Sequence, residues 1–431
     1  MHFLSPTYIK EKWNHAGFQK YFQSTGWMFA ARVLSMAVSF FTTVFVARHL
    51  GPENLGQLNY AVSFVGIFSF LASLGIDNVL YRDLIRHPDR KKEFLGSALL
   101  LKLAGGIATA VIVVVSAVFF AQNDVSRVLI LILSGTFLFN EFQIINFEFQ
   151  ARVKSKYPSI VIFLITIILN LLKILVIVAG KGVIYLAFVL LLEPILYALF
   201  YWFIYEKKIE ERLFPWKFDA QIARQLLSDS WPLIFTSAFM LVYGRIDQVL
   251  IKYMMNASAV GIYSAAVTVA EVWYFIPGII VSSLFPAIIN SKKVSEKFYS
   301  ARLQKLAFFL FICAVAICLP VTIFAPLAIQ ILYGKAFLGS VAILRIYVWA
   351  AVGTFLGILV DNYLIAENYR GILITRSFVP MIINIILNIL WIPKYGIVGS
   401  AYATLLSYSL GPLIIFAFHK TRRQIFNPTS Q

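Results

Sequence analysis

Long apolar stretches recur along the whole chain, separated by short segments rich in charged residues, proline or glycine. A helix needs about 20 apolar residues to cross the hydrocarbon core of a bilayer. These stretches show no alternation of apolar and polar residues, which favours spanning helices over the strands of a membrane barrel. The sequence therefore predicts an all-α membrane protein with about twelve transmembrane helices. The predicted spans are 27–47, 57–76, 94–121, 128–149, 157–179, 183–204, 229–252, 258–281, 303–325, 341–366, 371–391 and 396–418.

Charged residues are scarce for a chain of this length. Only 13% of the 431 residues are charged, whereas about a quarter are charged in a typical soluble domain. The formal net charge of +17 would suggest a nucleic-acid partner in a soluble protein, but here the basic residues lie between the apolar stretches. We therefore expect membrane lipids and no nucleic acid as partners, and we interpret the basic segments as topology signals.

The basic residues concentrate in every second connecting segment. With twelve spans, 25 of the 37 lysines and arginines fall in segments on one side of the membrane, and six fall on the other side. Cytoplasmic loops carry the excess of positive charge. The pattern predicts that both termini are cytoplasmic in a multi-pass protein of a bacterial inner membrane. The six residues on the opposite side are Arg48, Arg127, Lys181, Lys252, Lys335 and Lys394.

The two halves of the chain show weak similarity to each other. Leu55–Leu58, which follows the first span, resembles Val260–Tyr263, which follows the seventh. Two six-helix lobes related by a parallel repeat are predicted, and in such an arrangement the substrate lies between the lobes while access alternates. The predicted segments are a cytoplasmic interfacial segment 1–26, an N-lobe 27–204, a cytoplasmic linker 205–228, a C-lobe 229–418 and a cytoplasmic tail 419–431.

The motifs of several enzyme classes do not occur in the sequence. There is no Gly-x-x-x-x-Gly-Lys-Ser/Thr phosphate loop and no His-Glu-x-x-His metal motif. Cys313 and Cys318 are the two cysteines, and five residues apart they lie on different sides of one helix. We expect a transporter without a catalytic site, metal or cofactor, driven by an ion gradient, the membrane potential or the gradient of its own substrate.

Six basic residues fall inside the predicted spans. A charge at the bilayer centre costs about 2.5–3.5 kcal/mol on the insertion scale, so such side chains face a cavity, find partners or extend to the interface. Lys102 and Arg245 lie deepest and favour a cavity; for the others the interface stays an alternative. The six residues are Arg32, Lys102, Lys173, Arg245, Arg345 and Arg376.

Polar residues share a helix face with two of these cations. Arg32, Ser35, Ser39 and Thr42 are spaced for one face of the first span. In the fifth span, Thr166, Asn170 and Lys173 are spaced in the same way. The serines and Asn170 either line a substrate path or form hydrogen bonds between helices, and the cation in each stripe favours the path.

Four acidic residues lie well inside the spans. Glu141 and Glu193 fall in the first half, and Asp247 and Glu271 fall in the second. Asp247 is two residues from Arg245, so the two side chains point about 200° apart on a helix and cannot pair directly. These acids either pair with intramembrane bases or carry a coupling ion, H⁺ or Na⁺, in a polar cavity.

Three segments resemble the polysaccharide exporter family of the multidrug/oligosaccharidyl-lipid/polysaccharide (MOP) exporter superfamily. They are Ala47–Gly56, Arg245–Gln248 with the following Val260–Ala266, and Tyr395–Ala401. The resemblance covers nearly the whole chain. It implies a Wzx-type flippase that moves an undecaprenyl-pyrophosphate-linked oligosaccharide to the periplasmic leaflet for O-antigen or another surface polysaccharide, with a polysaccharide polymerase and chain-length machinery as candidate partners.

The residues give an independent reason for such a substrate. Arginine and lysine are the usual phosphate ligands, and Arg32, Lys102, Lys173 and Arg245 are the expected contacts for the anionic headgroup. Three alternatives stay open: a drug or cation antiporter of the related MATE family, which should prefer an acidic cavity; a peptidoglycan-precursor flippase, which has two further helices; and an O-antigen polymerase, which should carry a large periplasmic loop.

Overall fold

The computed structural model describes residues 16–121, 123–209, 216–419 and 421–422. The predicted interfacial segment and tail fall largely outside these residues. The α-helices are α1 (Ala16–Ile67), α2 (Ser69–Ser73), α3 (Ile76–Arg86), α4 (Lys91–Phe120), α5 (Asp124–Ser134), α6 (Thr136–Phe139), α7 (Ile144–Ala151), α8 (Lys156–Val178), α9 (Val183–Ile209), α10 (Ala220–Met254), α11 (Ala257–Glu271), α12 (Phe275–Ser291), α13 (Glu296–Leu332), α14 (Ser340–Tyr347), α15 (Ala350–Ala366), α16 (Arg370–Tyr395) and α17 (Ile397–Leu413). Short 3₁₀ helices occur at Pro88–Arg90, Asn140–Gln143, Lys335–Phe337 and Ile414–Ala417.

Eleven helical segments in these ranges are long and apolar enough to cross a membrane. The first, Arg32–Arg86, has 55 residues, which corresponds to about 80 Å of helix. That is more than twice the ~30 Å thickness of the hydrocarbon core, so this segment carries the first two predicted spans. The other ten segments match one predicted span each. The all-α architecture with about twelve transmembrane helices is confirmed.

The break between the first two spans lies at Gly51. Its φ of 71° is in the left-handed region that side chains with a Cβ rarely adopt. Pro52 follows, and a proline is well placed at the first position of a new helix because it has no N–H to leave unpaired. Gly51 and Pro52 therefore end one helix and begin the next within α1, between the first two predicted spans.

Two glycines from the related sequence segments meet through their backbones. A Cβ on Gly56 would lie 1.7 Å from the carbonyl oxygen of Ala257, and a Cβ on Gly261 would lie 2.0 Å from that of Pro52. The two contacts are reciprocal, since each glycine faces the residue four positions before the other glycine. Small residues at such positions let membrane helices approach closely. The predicted internal similarity thus coincides with a pair of equivalent contacts.

The described chain forms two compact units. The first contains the chain up to Val46 and Phe68–Ile234, and the second contains Ala47–Ile67 and Phe235 onwards. The second predicted span therefore divides, with most of it packed in the second unit. The predicted lobe boundaries, an N-lobe at 27–204 and a C-lobe at 229–418, stay a prediction.

In the first unit, the part of the predicted linker that the structure describes is fixed to the start of α4. The Lys217 N–H donates to the Lys92 carbonyl oxygen at 3.2 Å, and the Asp219 N–H donates to Ser97 Oγ at 2.9 Å. Gly96 lies against the Lys217 backbone, where a Cβ would come within 2.5 Å. This end of the linker is consequently a packed part of the first unit.

In the second unit, small residues bring α15, α16 and α17 close together. A Cβ on Gly353 would lie 2.2 Å from the Tyr408 carbonyl oxygen, and one on Gly399 would lie 2.5 Å from that of Trp391. Backbone contact of this kind needs residues without large side chains. The close packing fixes the polar side chains of these three helices relative to one another, and those side chains form the site described next.

Candidate functional site

A polar cavity of about 370 Å³ lies within the second unit. It is formed by residues of α10, α11, α15, α16 and α17, together with Tyr274, all of them inside predicted spans. Its charged residues are Arg245, Glu271, Asp361 and Arg376, and its aromatic residues are Tyr243, Tyr274 and Tyr408. The cavity thus combines both signs of charge with aromatic surface at membrane depth.

Two of these charges are paired directly. Arg376 Nη1 and Asp361 Oδ1 form a close ion pair. Gly357 makes room for it, because a Cβ at this position would lie 2.5 Å from Arg376 Nη2. Arg376 was expected either in a cavity or at the interface. The structure places it in the cavity with its charge neutralised.

The other two charges, those of Arg245 and Glu271, form no direct ion pair. Arg245 makes no hydrogen bond or ion pair with any residue the structure describes, although it lines the cavity. Glu271 accepts a hydrogen bond from the Tyr347 hydroxyl at 2.7 Å. No ion pair within 4.0 Å joins Arg245 to Glu271. A guanidinium and a carboxylate are therefore both available to a bound molecule.

Asp247 lies beside the cavity and is 6% exposed. Its carboxylate accepts hydrogen bonds from the Tyr263 hydroxyl at 2.7 Å, from Asn388 Nδ2 at 2.8 Å and from the Thr404 hydroxyl. Among the described residues, no basic side chain forms an ion pair with Asp247 within 4.0 Å. A buried charge held only by neutral groups is costly, so this site favours a bound cation or proton.

Further oxygens surround Asp247. Asn388 Oδ1 and Ser400 Oγ are both buried without a hydrogen-bond partner in the described chain. Hard cations take ligands of this type, namely carboxylate, amide and hydroxyl oxygens. Asn384 and Asn388 are one turn apart on α16, as Ser400 and Thr404 are on α17, so two helices each turn a pair of polar residues towards Asp247.

The predicted cations of the first unit have a different environment. Lys102 is buried, and its Nζ lies 2.6 Å from Asp77 Oδ1 and 3.1 Å from Glu141 Oε2. Lys102 was expected to favour a cavity. The structure gives it two acidic partners, so Glu141 is one of the acids paired with an intramembrane base.

The polar stripes predicted on the first and fifth spans do meet. Asn170 Nδ2 on α8 donates to Ser39 Oγ on α1 at 3.3 Å. Ser35 Oγ and Asn170 Oδ1 are buried without a hydrogen-bond partner among the described residues. Arg32, at the end of the same stripe, is exposed. The two stripes, which the sequence predicted separately, thus contact each other, and the contact leaves Ser35 Oγ and Asn170 Oδ1 without a hydrogen-bond partner in the described chain.

Lys173 and Glu193 are both partly buried in the first unit. No ion pair within 4.0 Å links the two residues. They are near enough for their charges to interact. Lys173 therefore differs from Lys102, which is bound directly to its acidic partners.

A family model decides the classification. The model described as polysaccharide biosynthesis protein matches residues 21–292, which is more than half of the chain. The chain belongs to the polysaccharide biosynthesis protein family. The matched range includes Ala47–Gly56, Arg245–Gln248 and Val260–Ala266, which carried the resemblance to polysaccharide exporters. Tyr395–Ala401 lies beyond the match.

A curated relative and two solved structures agree with this family membership. The probable low-salt glycan biosynthesis flippase Agl15 of Haloferax volcanii is 23% identical over 395 residues, with 90% of this chain and 81% of the relative covered. The lipid II flippase MurJ in an inward closed conformation has a TM-score of 0.72 at 17% identity, covering 93% of this chain and 90% of its own. An inward-facing MATE transporter of the MOP superfamily has a TM-score of 0.68 at 14% identity, covering 91% and 94%.

These likenesses confirm the predicted fold of this family member. The MurJ and MATE structures share it across nearly their whole length, which supports the two-lobe superfamily architecture. At such low identity they establish the fold alone. The family and the fold are those of transporters and flippases.

Sequence reasoning missed several residues of the second-unit site. Tyr263, Tyr347, Asn388 and Thr404 each contact an intramembrane carboxylate. One signal was available: amide and hydroxyl pairs spaced four apart inside apolar spans, as in Asn384 and Asn388. That Tyr263, Asn388 and Thr404 share Asp247 as a partner depends on the packing of α10, α11, α16 and α17, which the sequence does not reveal.

Proposed function

We propose that this protein is a flippase that carries a lipid-linked oligosaccharide across the inner membrane of a bacterium for surface polysaccharide synthesis. The observation that carries the proposal is an unpaired arginine, Arg245, in a tyrosine-lined cavity inside the membrane. Guanidinium groups bind phosphate through several N–H donors. Family membership and a flippase relative support the same conclusion.

The substrate we propose is an undecaprenyl-pyrophosphate-linked repeat unit. Arg245 contacts the pyrophosphate, and the tyrosines present flat apolar faces with polar edges to sugar rings. In the first unit, Arg32 and Lys173 are the remaining candidates for the headgroup path, with Ser35, Ser39 and Asn170 as polar lining. Lys102 serves the structure of the first unit through its pairing with Asp77 and Glu141.

Transport is coupled, in this proposal, to a cation at Asp247, either H⁺ or Na⁺. The carboxylate, hydroxyl and amide oxygens at this site support it, because they are the ligand types that hard cations take. The basic loops support cytoplasmic termini by the positive-inside rule. A polysaccharide polymerase and chain-length machinery are the proposed partners that receive the translocated unit.

Deleting the gene in its native host tests the proposal. The deletion strain is complemented with wild type, Arg245→Ala or Arg345→Ala, and both the surface polysaccharide and the leaflet of the lipid-linked unit are measured. Arg345 is the matched control, since it is an intramembrane arginine whose Nε donates to the Thr322 carbonyl oxygen and it does not line the cavity.

Lost polymer with repeat units trapped in the cytoplasmic leaflet, rescued by wild type and Arg345→Ala but not by Arg245→Ala, is the expected result. Single repeat units that reach the outer surface without polymer would indicate a polymerase instead. Repeat units that cross normally in the deletion strain would contradict the flippase proposal.

A cation or drug exporter is the second candidate. The cavity contains Glu271 and Asp361 beside its two arginines, so its fixed charges balance and it is less cationic than the sequence suggested. Such an exporter predicts an unchanged surface glycan and a deletion strain that is more sensitive to cationic dyes. The unpaired Arg245 favours the flippase, because a cation would be repelled by it.

A further inference from the structure

The second-unit cavity contains two opposite charges, Arg245 and Glu271, that are near enough to interact but form no direct ion pair. Arg376 and Asp361 pair directly in this cavity, whereas Arg245 and Glu271 line it without an ion pair. A simple anion would bind near Arg245 but would face the Glu271 carboxylate. A simple cation would bind near Glu271 but would face the Arg245 guanidinium. The cavity therefore suits a molecule that brings an anionic group together with hydrogen-bond donors.

Glu271 is held in one position by its neighbours. The Tyr347 hydroxyl donates to Glu271 Oε1 at 2.7 Å. Tyr347 is itself buried and packs edge-on against Tyr263, with 6.0 Å between the ring centroids. Glu271 Oε2 has no hydrogen bond from any residue that the structure describes. A carboxylate fixed on one side and open on the other is arranged to accept hydrogen bonds from a ligand.

Aromatic rings stand in the wall of the same cavity. The rings of Tyr243 and Tyr408 lie 4.4 Å apart between centroids, and Tyr274 lines the cavity as well. Amphipathic aromatic rings provide an apolar face and a polar edge, a combination that matches the face and hydroxyl rim of a sugar ring. The anionic group, the donors and the ring face occur together where a sugar is joined to a phosphate.

We propose that Glu271 determines which sugar may follow the phosphate. Its carboxylate accepts hydrogen bonds from hydroxyl or amino groups of that sugar while Arg245 binds the phosphate. A sugar with its own carboxylate is disfavoured, because two like charges would be brought together away from bulk water. This inference rests on the proposed flippase function and adds the substrate class to it.

The test measures binding to the full chain in lipid nanodiscs. The probes are a polyprenyl pyrophosphate that carries one neutral N-acetylhexosamine and the same lipid with one hexuronic acid. Wild type is expected to bind the neutral probe at least about tenfold more tightly, which corresponds to ~1.4 kcal/mol. Glu271→Gln keeps the size of the side chain and removes its charge, and it is expected to bring the two affinities within about twofold.

Three further variants separate the possible causes. Tyr347→Phe releases Glu271 from its hydroxyl donor and is expected to reduce the preference by a smaller factor. Arg245→Ala should weaken both probes equally and leave their ratio unchanged. Glu367→Gln is the matched control, since Glu367 pairs with Lys292 outside the cavity and its loss should not alter the ratio.

The failure of this inference differs from the failure of the proposed function. If wild type and Glu271→Gln bind both probes tightly with the same ratio, the phosphate is recognised and the role of Glu271 is wrong. If wild type binds neither probe better than polyprenyl alcohol, both the role of Glu271 and the flippase proposal are overturned. A preference in wild type that Glu271→Gln removes supports both.

Discussion

Lys102 in the first unit and Asp247 in the second are both buried charges, but their surroundings differ. Lys102 is bound by two carboxylates, those of Asp77 and Glu141. Asp247 is bound by hydroxyl and amide groups alone, with no cation among the described residues. A paired charge is neutralised within the protein, whereas an unpaired one is neutralised only by binding an ion or a ligand. We therefore interpret Lys102 as a structural charge and propose Asp247 as a binding site.

The same contrast occurs within one cavity. Arg376 is neutralised by Asp361 in a direct ion pair, whereas Arg245 forms no direct ion pair with any described residue. Burial alone therefore does not identify a functional charge in a membrane protein. The absence of a partner at close range is the more informative property, and we use it to rank the following expectations from the largest effect to the smallest.

The largest effect is expected for Lys102→Met. The change removes the cation and leaves the Glu141 carboxylate buried without compensation, and removal of one partner of a buried pair costs about 3–5 kcal/mol. Unfolding of the purified protein in mixed micelles measures this loss. The double variant Lys102→Met, Glu141→Gln should recover most of it. A stable single variant with normal unfolding would break the assignment of Lys102 to structure.

The next effect is the stabilisation expected from the cation that we propose at Asp247. A ligand at 100 times its Kd stabilises the folded state by about 2.7 kcal/mol. We expect Na⁺, exchanged for choline at constant ionic strength, or else acidification to raise the melting temperature of wild type. Asp247→Asn should remove the response and lower transport at least about tenfold. A wild type that responds to neither cation would contradict the site.

A smaller effect is expected for Tyr263→Phe. The change deletes one of the hydroxyl donors to the Asp247 carboxylate, and a hydrogen bond to a charged group contributes about 1.5 kcal/mol or somewhat more. Cation affinity, followed by the concentration at half-maximal stabilisation, should rise about tenfold, because the lost donor stabilised the bare carboxylate and so opposed binding of a proton or cation. Tyr333→Phe, at a buried tyrosine of the same unit with no hydrogen-bond partner for its hydroxyl in the described chain, serves as the control and should leave cation affinity unchanged.

The smallest effect is expected for Asp229→Asn in the first unit. Asp229 pairs with Arg82 at 2.6 Å, but both side chains are more than a third exposed. Exposed ion pairs contribute about 0–1 kcal/mol, so the unfolding midpoint should shift little. If Asp229→Asn lost as much stability as Lys102→Met, the burial of an ion pair would not determine how much the pair stabilises the protein.

The sequence was sufficient for the membrane architecture. The thickness of a bilayer and the insolubility of unpaired backbone groups leave few ways to arrange repeated apolar stretches of about 20 residues. Helical periodicity also placed Ser39 and Asn170 on polar stripes of their own helices, although it did not predict that the two stripes would contact each other. These predictions depended on local properties of single helices.

The sequence was insufficient for the partners of the buried charges. Lys102 was expected in a cavity because it lies deep in a predicted span. Its acidic partners, Asp77 and Glu141, lie on other helices, and their approach depends on how those helices pack. Asn388 and Thr404 gave no sign that both would face Asp247, which lies more than 100 residues earlier. The division of the second span between the two units was equally invisible, since it depends on packing between residues far apart in the chain.

Flipping in reconstituted liposomes tests the central claim most directly. A fluorescent polyprenyl-pyrophosphate glycan is placed in both leaflets, and a reagent that cannot cross the membrane quenches the accessible fraction. With wild type, the account predicts that the protected fraction disappears over time, at least about tenfold faster than with Arg245→Ala and as fast as with Arg345→Ala. A protected fraction that persists with wild type as in empty liposomes, or equal rates for wild type and Arg245→Ala, would contradict the account.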